Sequence, residues 1–239
     1  MKDNDNPIPR RNFLVGAGTA VAASLTVNSA EAQTNASAPA AAANSPPPPE
    51  GLLTLTPGEQ AFIIAAVDTF IPADELTPSA SDCGVAVFID RQLAGAWGSG
   101  ARMYRNGPFH RGKPEQGYQL ALTPREFFGV GISATNEWTR KKFGKDFDRL
   151  APKDREAALK ELESRKADLG DFNGKQFFEA LIEITMEGFF ADPIYGGNRN
   201  KAGWRMVGYP GLPAVYSNLI DEYRNKKYSV EPQSIADFS

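Results

Sequence analysis

The residue types that most often catalyse reactions are sparse in this chain, and their spacing does not fit catalysis. A Ser-His-Asp or Cys-His mechanism needs a histidine as base, and His110 is the single histidine. The segment Gly98-Ser99-Gly100 lacks the G-x-S-x-G spacing of a nucleophile elbow, because Trp97 stands where that pattern needs glycine. We therefore expect no catalytic residue here, and we interpret His110 as a surface or interface residue.

Three carboxylates recur every four residues, at Glu179, Glu183 and Glu187, within a segment of helical pattern. Such spacing could suggest a carboxylate-bridged dinuclear metal site in a helix bundle. Those sites need Glu-x-x-His pairs on two helices, and one histidine cannot supply both pairs. We expect a solvated or partner-facing stripe instead, and no metal site.

Cys83 is the only cysteine, so a disulfide within the chain is impossible. A lone cysteine also excludes haem c attachment, iron–sulfur ligation and thiolate zinc sites. Two interpretations remain open for Cys83, a buried inert thiol or an intermolecular partner. The pair Gly129 and Gly131 lacks the preceding strand and third glycine of a phosphate-binding loop. No cofactor-binding residue is expected in this chain.

Two adjacent arginines near the beginning of the chain, Arg10 and Arg11, precede the apolar run Phe13–Val27 and the small-x-small triplet Ala30-Glu31-Ala32. This order is typical of a twin-arginine export signal, whose route carries proteins that are already folded. The run is shorter than the roughly twenty residues that span a bilayer. An ordinary secretory signal and a retained membrane anchor remain as alternatives.

Composition places the chain among ordinary globular proteins, with 41% hydrophobic residues and a net charge of −3, which removal of residues 1–32 leaves unchanged. Mild acidity argues against nucleic-acid binding, which would show a basic patch or stripe. The sequence predicts four parts. They are a signal peptide over 1–32, a disordered Ala/Pro-rich linker over 33–51, a helical domain over 52–228 and a C-terminal tail over 229–239.

Helix signals dominate the domain, whereas no alternating strand pattern of useful length occurs. The capping boxes Thr56-Pro57-Gly58-Glu59 and Thr123-Pro124-Arg125-Glu126 each start a helix. The class is therefore all-α, with about six helices. We expect them from Pro57 to before Pro72, over 83–94, from Pro124 to Gly144 with Val130 inward, over 152–167, from Asn173 to Phe190, and over 213–227.

The helix that ends at Phe190 is predicted to be the central one, because its apolar residues cover a wide arc. Those residues are Phe178, Leu181, Ile182, Met186 and Phe189. Two long irregular loops rich in glycine and aromatic residues are expected over 95–122 and 191–212. Loops of this length in a compact domain tend to be functional or disordered.

The 191–212 segment is the densest in unusual residues. Tyr195, Trp204 and Tyr209 supply large rigid side chains, and Arg199 and Arg205 supply planar cations that fit carboxylates. Either the loop packs on its own core or it forms a partner-binding surface. Both interpretations remain open from these residues alone.

These segments resemble a known family, subunit 3 (the small or gamma subunit) of the gluconate 2-dehydrogenase type. The resemblance covers about Leu52 to Tyr223. One set of matching residues is Asp192–Asn198 with Gly203-Trp204 and Gly208–Gly211. The other is Phe88–Gly95 with Tyr104, Gly107-Pro108-Phe109 and Gln116–Gln119.

The resemblance implies a non-catalytic subunit of a periplasm-facing, membrane-associated dehydrogenase for sugar acids or polyols. A large subunit would hold FAD, and a cytochrome c subunit would hold haem c. The small subunit would escort the folded large subunit through the twin-arginine translocase. The alternative is a self-sufficient periplasmic oxidoreductase or binding protein with an unrecognised cofactor. Besides Arg10 and Arg11 for export, the expected partner-binding residues are Asp192, Pro193, Tyr195, Gly196, Gly197, Asn198, Arg199, Trp204, Arg205 and Tyr209.

Overall fold

Seven α-helices make up the regular structure of the described residues, which are 51–108, 110, 112–113, 119–213 and 215–238 of a computed structural model. Within those residues the only strand-like pairing is one isolated parallel bridge, so the predicted all-α class is confirmed. The predicted signal peptide, Arg10, Arg11 and the linker up to residue 50 lie outside the described residues. The helices are α1 Pro57–Phe70, α2 Val85–Ala94, α3 Pro124–Phe143, α4 Pro152–Glu163, α5 Gly174–Phe190, α6 Ala202–Val207 and α7 Ile220–Tyr223.

The two predicted capping boxes start α1 and α3 as expected. The Thr56 hydroxyl accepts a hydrogen bond from the backbone N–H of Glu59, and the Thr56 N–H donates to the Glu59 carboxylate. Thr123 and Glu126 form the same pair of bonds. These contacts satisfy backbone donors that a helix start leaves without partners. At its other end, α3 stops at Gly144, whose φ of 75° is left-handed.

The core is built around the rings of α5, which packs against α1, α2, α3 and α4. The ring of Phe177 lies 6.1 Å from that of Phe62 and 6.0 Å from those of Phe127 and Phe128, centroid to centroid. Gly131 allows this packing, because a Cβ at that position would lie 2.3 Å from Phe177 Cδ2. The central position predicted for α5 is therefore confirmed.

Three side chains that were predicted to face inward are exposed: Val130 on α3, and Ile182 and Met186 on α5. The buried stripe of α5 runs instead through Phe177, Leu181, Ile184, Thr185, Gly188 and Phe189. The neighbouring helices cover only this stripe, so the apolar arc of α5 is wider than the surface that it buries.

The helix predicted over 213–227 is reduced to the short 3-10 turn Ser217–Leu219 and to α7. Its tyrosines pack on one another rather than on the core, with the ring of Tyr228 5.9 Å from Tyr216 and 4.7 Å from Tyr223. Short helices depend on tertiary packing, so a segment with so little core contact forms only one turn. Every helix in the described part of the chain is too short or too polar to span a bilayer.

Candidate partner-binding loop

Residues 191–211, which follow α5 and include α6, are the 191–211 loop, and this loop has regular turns instead of the irregular structure that was predicted. It consists of the 3-10 turns Pro193–Tyr195 and Arg199–Lys201 followed by α6. Several of its residues have left-handed φ angles, including Gly196 at 100° and Asn198 at 45°. Glycine and asparagine adopt this conformation at the lowest cost, which explains their abundance in the segment.

Asn198 holds the two halves of the 191–211 loop together. Its side chain is fully buried, its Nδ2 donates to the carbonyl of Ala191 at 2.8 Å, and its Oδ1 accepts from the N–H of Gly203 at 2.8 Å. The next N–H, of Arg199, donates to the carbonyl of Cys83 at 2.8 Å. The loop is thus fixed internally and also tied to the segment that starts α2.

Glycines let the 191–211 loop lie directly on the backbone of α5. A Cβ at Gly197 would lie 2.1 Å from the carbonyl oxygen of Gly188, and one at Gly203 would lie 2.4 Å from that of Phe189. Both distances are far below van der Waals contact. Any other residue type at these two positions would therefore push the loop away from the helix.

Trp204 anchors the loop at the end of α5. Its indole is almost fully buried, and its Nε1 donates to the carbonyl of Phe190 at 2.7 Å. This bond satisfies one of the carbonyls that a helix end leaves without a partner. The ring of Tyr209 packs edge-on against Trp204 with centroids 5.2 Å apart, so Trp204 orients Tyr209 as well.

The charged side chains of the loop are engaged within the chain. Asp192 accepts from the N–H of Ile194 at 3.0 Å and, with its other oxygen, from the N–H of Ile235 at 2.9 Å. Arg205, which the sequence suggested as a fork for a carboxylate, binds the carboxylate of Glu231 through Nε at 2.9 Å and also through Nη2. The guanidinium of Arg205 thus binds a carboxylate through two N–H groups on one oxygen, and that carboxylate belongs to the same chain.

The predicted partner-binding residues therefore differ in what they can contact. Buried residues shape the loop, and exposed ones are free to meet another molecule. Gly197, Asn198 and Trp204 are buried; Asp192, Pro193, Gly196 and Arg199 are half-buried; Tyr195, Arg205 and Tyr209 are exposed.

Sequence reasoning missed three exposed apolar residues of the same loop, Ile194, Met206 and Val207. The sequence could have indicated their exposure, because these apolar residues stand between glycines and charged residues and follow no periodicity of a core-facing helix or strand. With Tyr195 and Tyr209 they are the five exposed large apolar side chains of the 191–211 loop, and we refer to these five residues as its exposed apolar side. Both interpretations of the loop thus hold in part, because it packs on its own core and also presents apolar side chains outward.

The other residues whose types could support catalysis or metal binding form no site among the described residues. His110 is exposed, and Glu179, Glu183 and Glu187 lie exposed along α5. Partial desolvation and the neighbouring Glu183 carboxylate raise the pKa of Glu187. In the part of the chain that the structure describes, no group of three or more His, Cys, Asp or Glu residues could hold a metal ion.

Cys83 is buried, which decides between its two interpretations in favour of the inert thiol. Burial first, and the nearby Asp82 carboxylate second, raise its pKa to about 11. A thiol with such a pKa is protonated at neutral pH and a poor nucleophile or metal ligand.

Comparison with protein families gives a match over most of the helical domain. The profile of the family described as gluconate 2-dehydrogenase subunit 3 matches residues 57–211, from the first residue of α1 to the last residue of the 191–211 loop. The match confirms the resemblance inferred from the sequence. Comparisons with curated proteins and with solved structures each gave no significant match.

Proposed function

Since the chain belongs to the gluconate 2-dehydrogenase subunit 3 family, we propose that it is the non-catalytic small subunit of a flavin-dependent dehydrogenase complex for sugar acids or polyols. Its role in this proposal is to bind the folded, FAD-bearing large subunit and to carry it through the twin-arginine translocase. A cytochrome c subunit with haem c completes the complex at the periplasmic face of the membrane. The export address is the pair Arg10 and Arg11.

One observation supports the binding role above all others: the exposed apolar side of the 191–211 loop. Five large side chains point outward from a backbone that is fixed by buried hydrogen bonds. Interface cores are rich in aromatic residues and methionine and poor in unpaired charge. A rigid loop also loses little conformational entropy when it binds. The five residues are Ile194, Tyr195, Met206, Val207 and Tyr209.

The proposal is tested by co-expressing this chain, carrying an affinity tag, with the FAD-bearing large subunit. Tyr195→Asp places a charge among apolar side chains and should lower co-purification of the large subunit at least about tenfold. Leu76→Asp is the matched control, because Leu76 is 75% exposed and lies outside the loop. Equal recovery of the large subunit with wild-type and Tyr195→Asp chains would contradict the proposed surface.

The alternative function, a self-sufficient oxidoreductase or binding protein, has one observation in its favour. A cleft of about 420 Å³ lies beside α3, lined by apolar side chains such as Leu55, Leu93 and Phe128. Charged residues also line it, namely Glu59, Arg125 and Glu126. An absorbance spectrum of the chain purified alone separates the two functions. A flavin or haem band in that spectrum would favour the alternative, whereas the small-subunit function predicts a spectrum of aromatic residues only.

A further inference from the structure

The segment after residue 230 folds back onto the 191–211 loop. Gln233 forms the parallel bridge with Gly211: its N–H donates to the carbonyl of Pro210 at 3.0 Å, and its carbonyl accepts from the N–H of Leu212 at 2.8 Å. Gly211 is required here, because a Cβ at this position would lie 2.0 Å from the Gln233 carbonyl oxygen. The segment therefore pairs with the loop through backbone contacts that only a close approach allows.

Side chains of the loop fasten this segment at further points. Besides the bond from Ile235 to Asp192, Lys201 Nζ donates to the carbonyl of Pro232 at 2.8 Å and to the carboxylate of Asp237 at 2.5 Å. The hydrogen bond from Lys201, and after it those from Ser234, lower the pKa of Asp237 to about 2. Pro232 is buried, which shows that the segment is packed as well as hydrogen-bonded.

The turn Ile235–Phe238 lies in contact with the turn Pro193–Tyr195 of the loop. Each turn exposes two large apolar side chains: Ile194 and Tyr195 on the loop, and Ile235 and Phe238 on the segment. Phe238 is 62% exposed, although removing a phenyl ring from water is energetically favourable. The segment therefore adds apolar side chains beside the exposed apolar side of the loop instead of covering it.

Two of the three cations of the loop are paired with anions of the segment. Lys201 pairs with Asp237, and Arg205 pairs with Glu231. The third, Arg199, is half-buried and donates to the carbonyl of Asp82 at 3.4 Å. A partner that meets this surface needs no complementary charges, and an isolated charge on it would lose its hydration without a counterion. The chemistry of the surface thus fits a partner face that is apolar and uncharged.

We propose that the 191–211 loop and the segment 231–238 form one composite docking surface, and that an apolar, uncharged face of the partner subunit binds across both. This inference rests on the proposed function, because the partner is the large subunit of that complex. It adds a contributor that the family match does not include, since the match ends at residue 211. Phe238 is the expected anchor of the segment.

The experiment measures binding of the purified FAD-bearing large subunit to the immobilised chain. Phe238→Ser should weaken binding about tenfold, the usual effect of truncating an aromatic anchor. Val215→Ser is the matched control, because Val215 is 68% exposed and lies outside the composite surface. A chain that ends after residue 228 should weaken binding at least as much as Phe238→Ser. Hydrogen exchange of the Gly203 amide, which reports the Asn198 bond, verifies that the loop is intact in each variant.

The outcomes separate this inference from the proposed function. If Phe238→Ser binds like the wild type while Tyr195→Asp does not, the composite surface is wrong and the loop alone docks. If neither substitution weakens binding, the proposed docking function fails with it. Tighter binding after removal of residues 229–239 would overturn the inference, because the segment would then cover the surface. Self-association that Phe238→Ser abolishes would also overturn it, because the occupant would be a second copy of this chain.

Discussion

The buried amide of Asn198 connects two points of the 191–211 loop, and both of its polar ends are satisfied. Replacing it by alanine leaves the Ala191 carbonyl and the Gly203 N–H without partners. An unsatisfied buried group costs about 1–3 kcal/mol, so we expect Asn198→Ala to lower the free energy of unfolding by about 3 kcal/mol. Urea denaturation of the chain measures this loss.

Asn200 is the matched control, because it also has a left-handed φ, of 57°, but is exposed. Asn200→Ala should lose only the backbone preference of asparagine, at most about 1–2 kcal/mol. Equal losses for the two variants would show that backbone conformation, and not the buried amide, stabilises the loop.

The thiol of Cys83 should be unreactive while the chain is folded. Its pKa of about 11 keeps it protonated at pH 8, and burial keeps reagents away from it. We expect no reaction with Ellman's reagent at pH 8 in the native state and complete reaction in urea. Native labelling as fast as labelling in urea would contradict the buried thiol.

The raised pKa of Cys83 also predicts that the free energy of unfolding depends on pH. In the unfolded chain the thiol ionises near its ordinary pKa of 9.0, whereas in the folded chain it ionises near 11. Stability that depends on the neutral thiol is therefore fully present below pH 9. It falls as the pH rises from 9 to 11, because there only the unfolded state releases the proton.

At the scale of elements, two glycines of α3 have opposite roles. Gly131 faces the ring of Phe177 at the crossing with α5, whereas a Cβ at Gly129 would meet only a Glu59 oxygen at 3.5 Å, an ordinary contact. We expect Gly131→Ala to lower stability by about 1–3 kcal/mol through overpacking. Gly129→Ala should raise it by up to about 1 kcal/mol through helix propensity.

Thermal denaturation of the two variants checks the prediction, and each serves as the control of the other. A loss of stability at both positions would mean that Gly129, like Gly131, has no room for a methyl group. A gain at both would mean that the crossing of α3 and α5 is looser than the contact of Gly131 with Phe177 indicates.

The elements that could be predicted from the sequence are those with local signals. Capping boxes and apolar spacing located α1 and α3, and the wide apolar arc of α5 indicated its central place. The 191–211 loop was found by composition, but its order depends on distant partners, such as the Cys83 carbonyl that receives the Arg199 N–H. Which of its residues face outward follows from packing on α5, which no local pattern of sequence contains.

At the scale of the whole molecule, the proposed function places the export signal and the docking surface in different parts of the chain. Arg10 and Arg11 lie in the segment before the linker, whereas the exposed apolar side chains lie on the helical domain. Because the two features are far apart in the chain, substitutions can inactivate each one without touching the other. Export of two proteins, this chain and the large subunit, can then be followed separately.

Replacing both arginines by lysine keeps the charge but removes the guanidinium pair of a twin-arginine signal. We expect Arg10→Lys with Arg11→Lys to leave both this chain and the FAD-bearing subunit in the cytoplasm, as measured by cell fractionation. Tyr195→Asp should instead export this chain and leave only the FAD-bearing subunit behind. Unchanged export of the doubly substituted chain would remove the twin-arginine assignment, and export of the large subunit with Tyr195→Asp would remove the escort role.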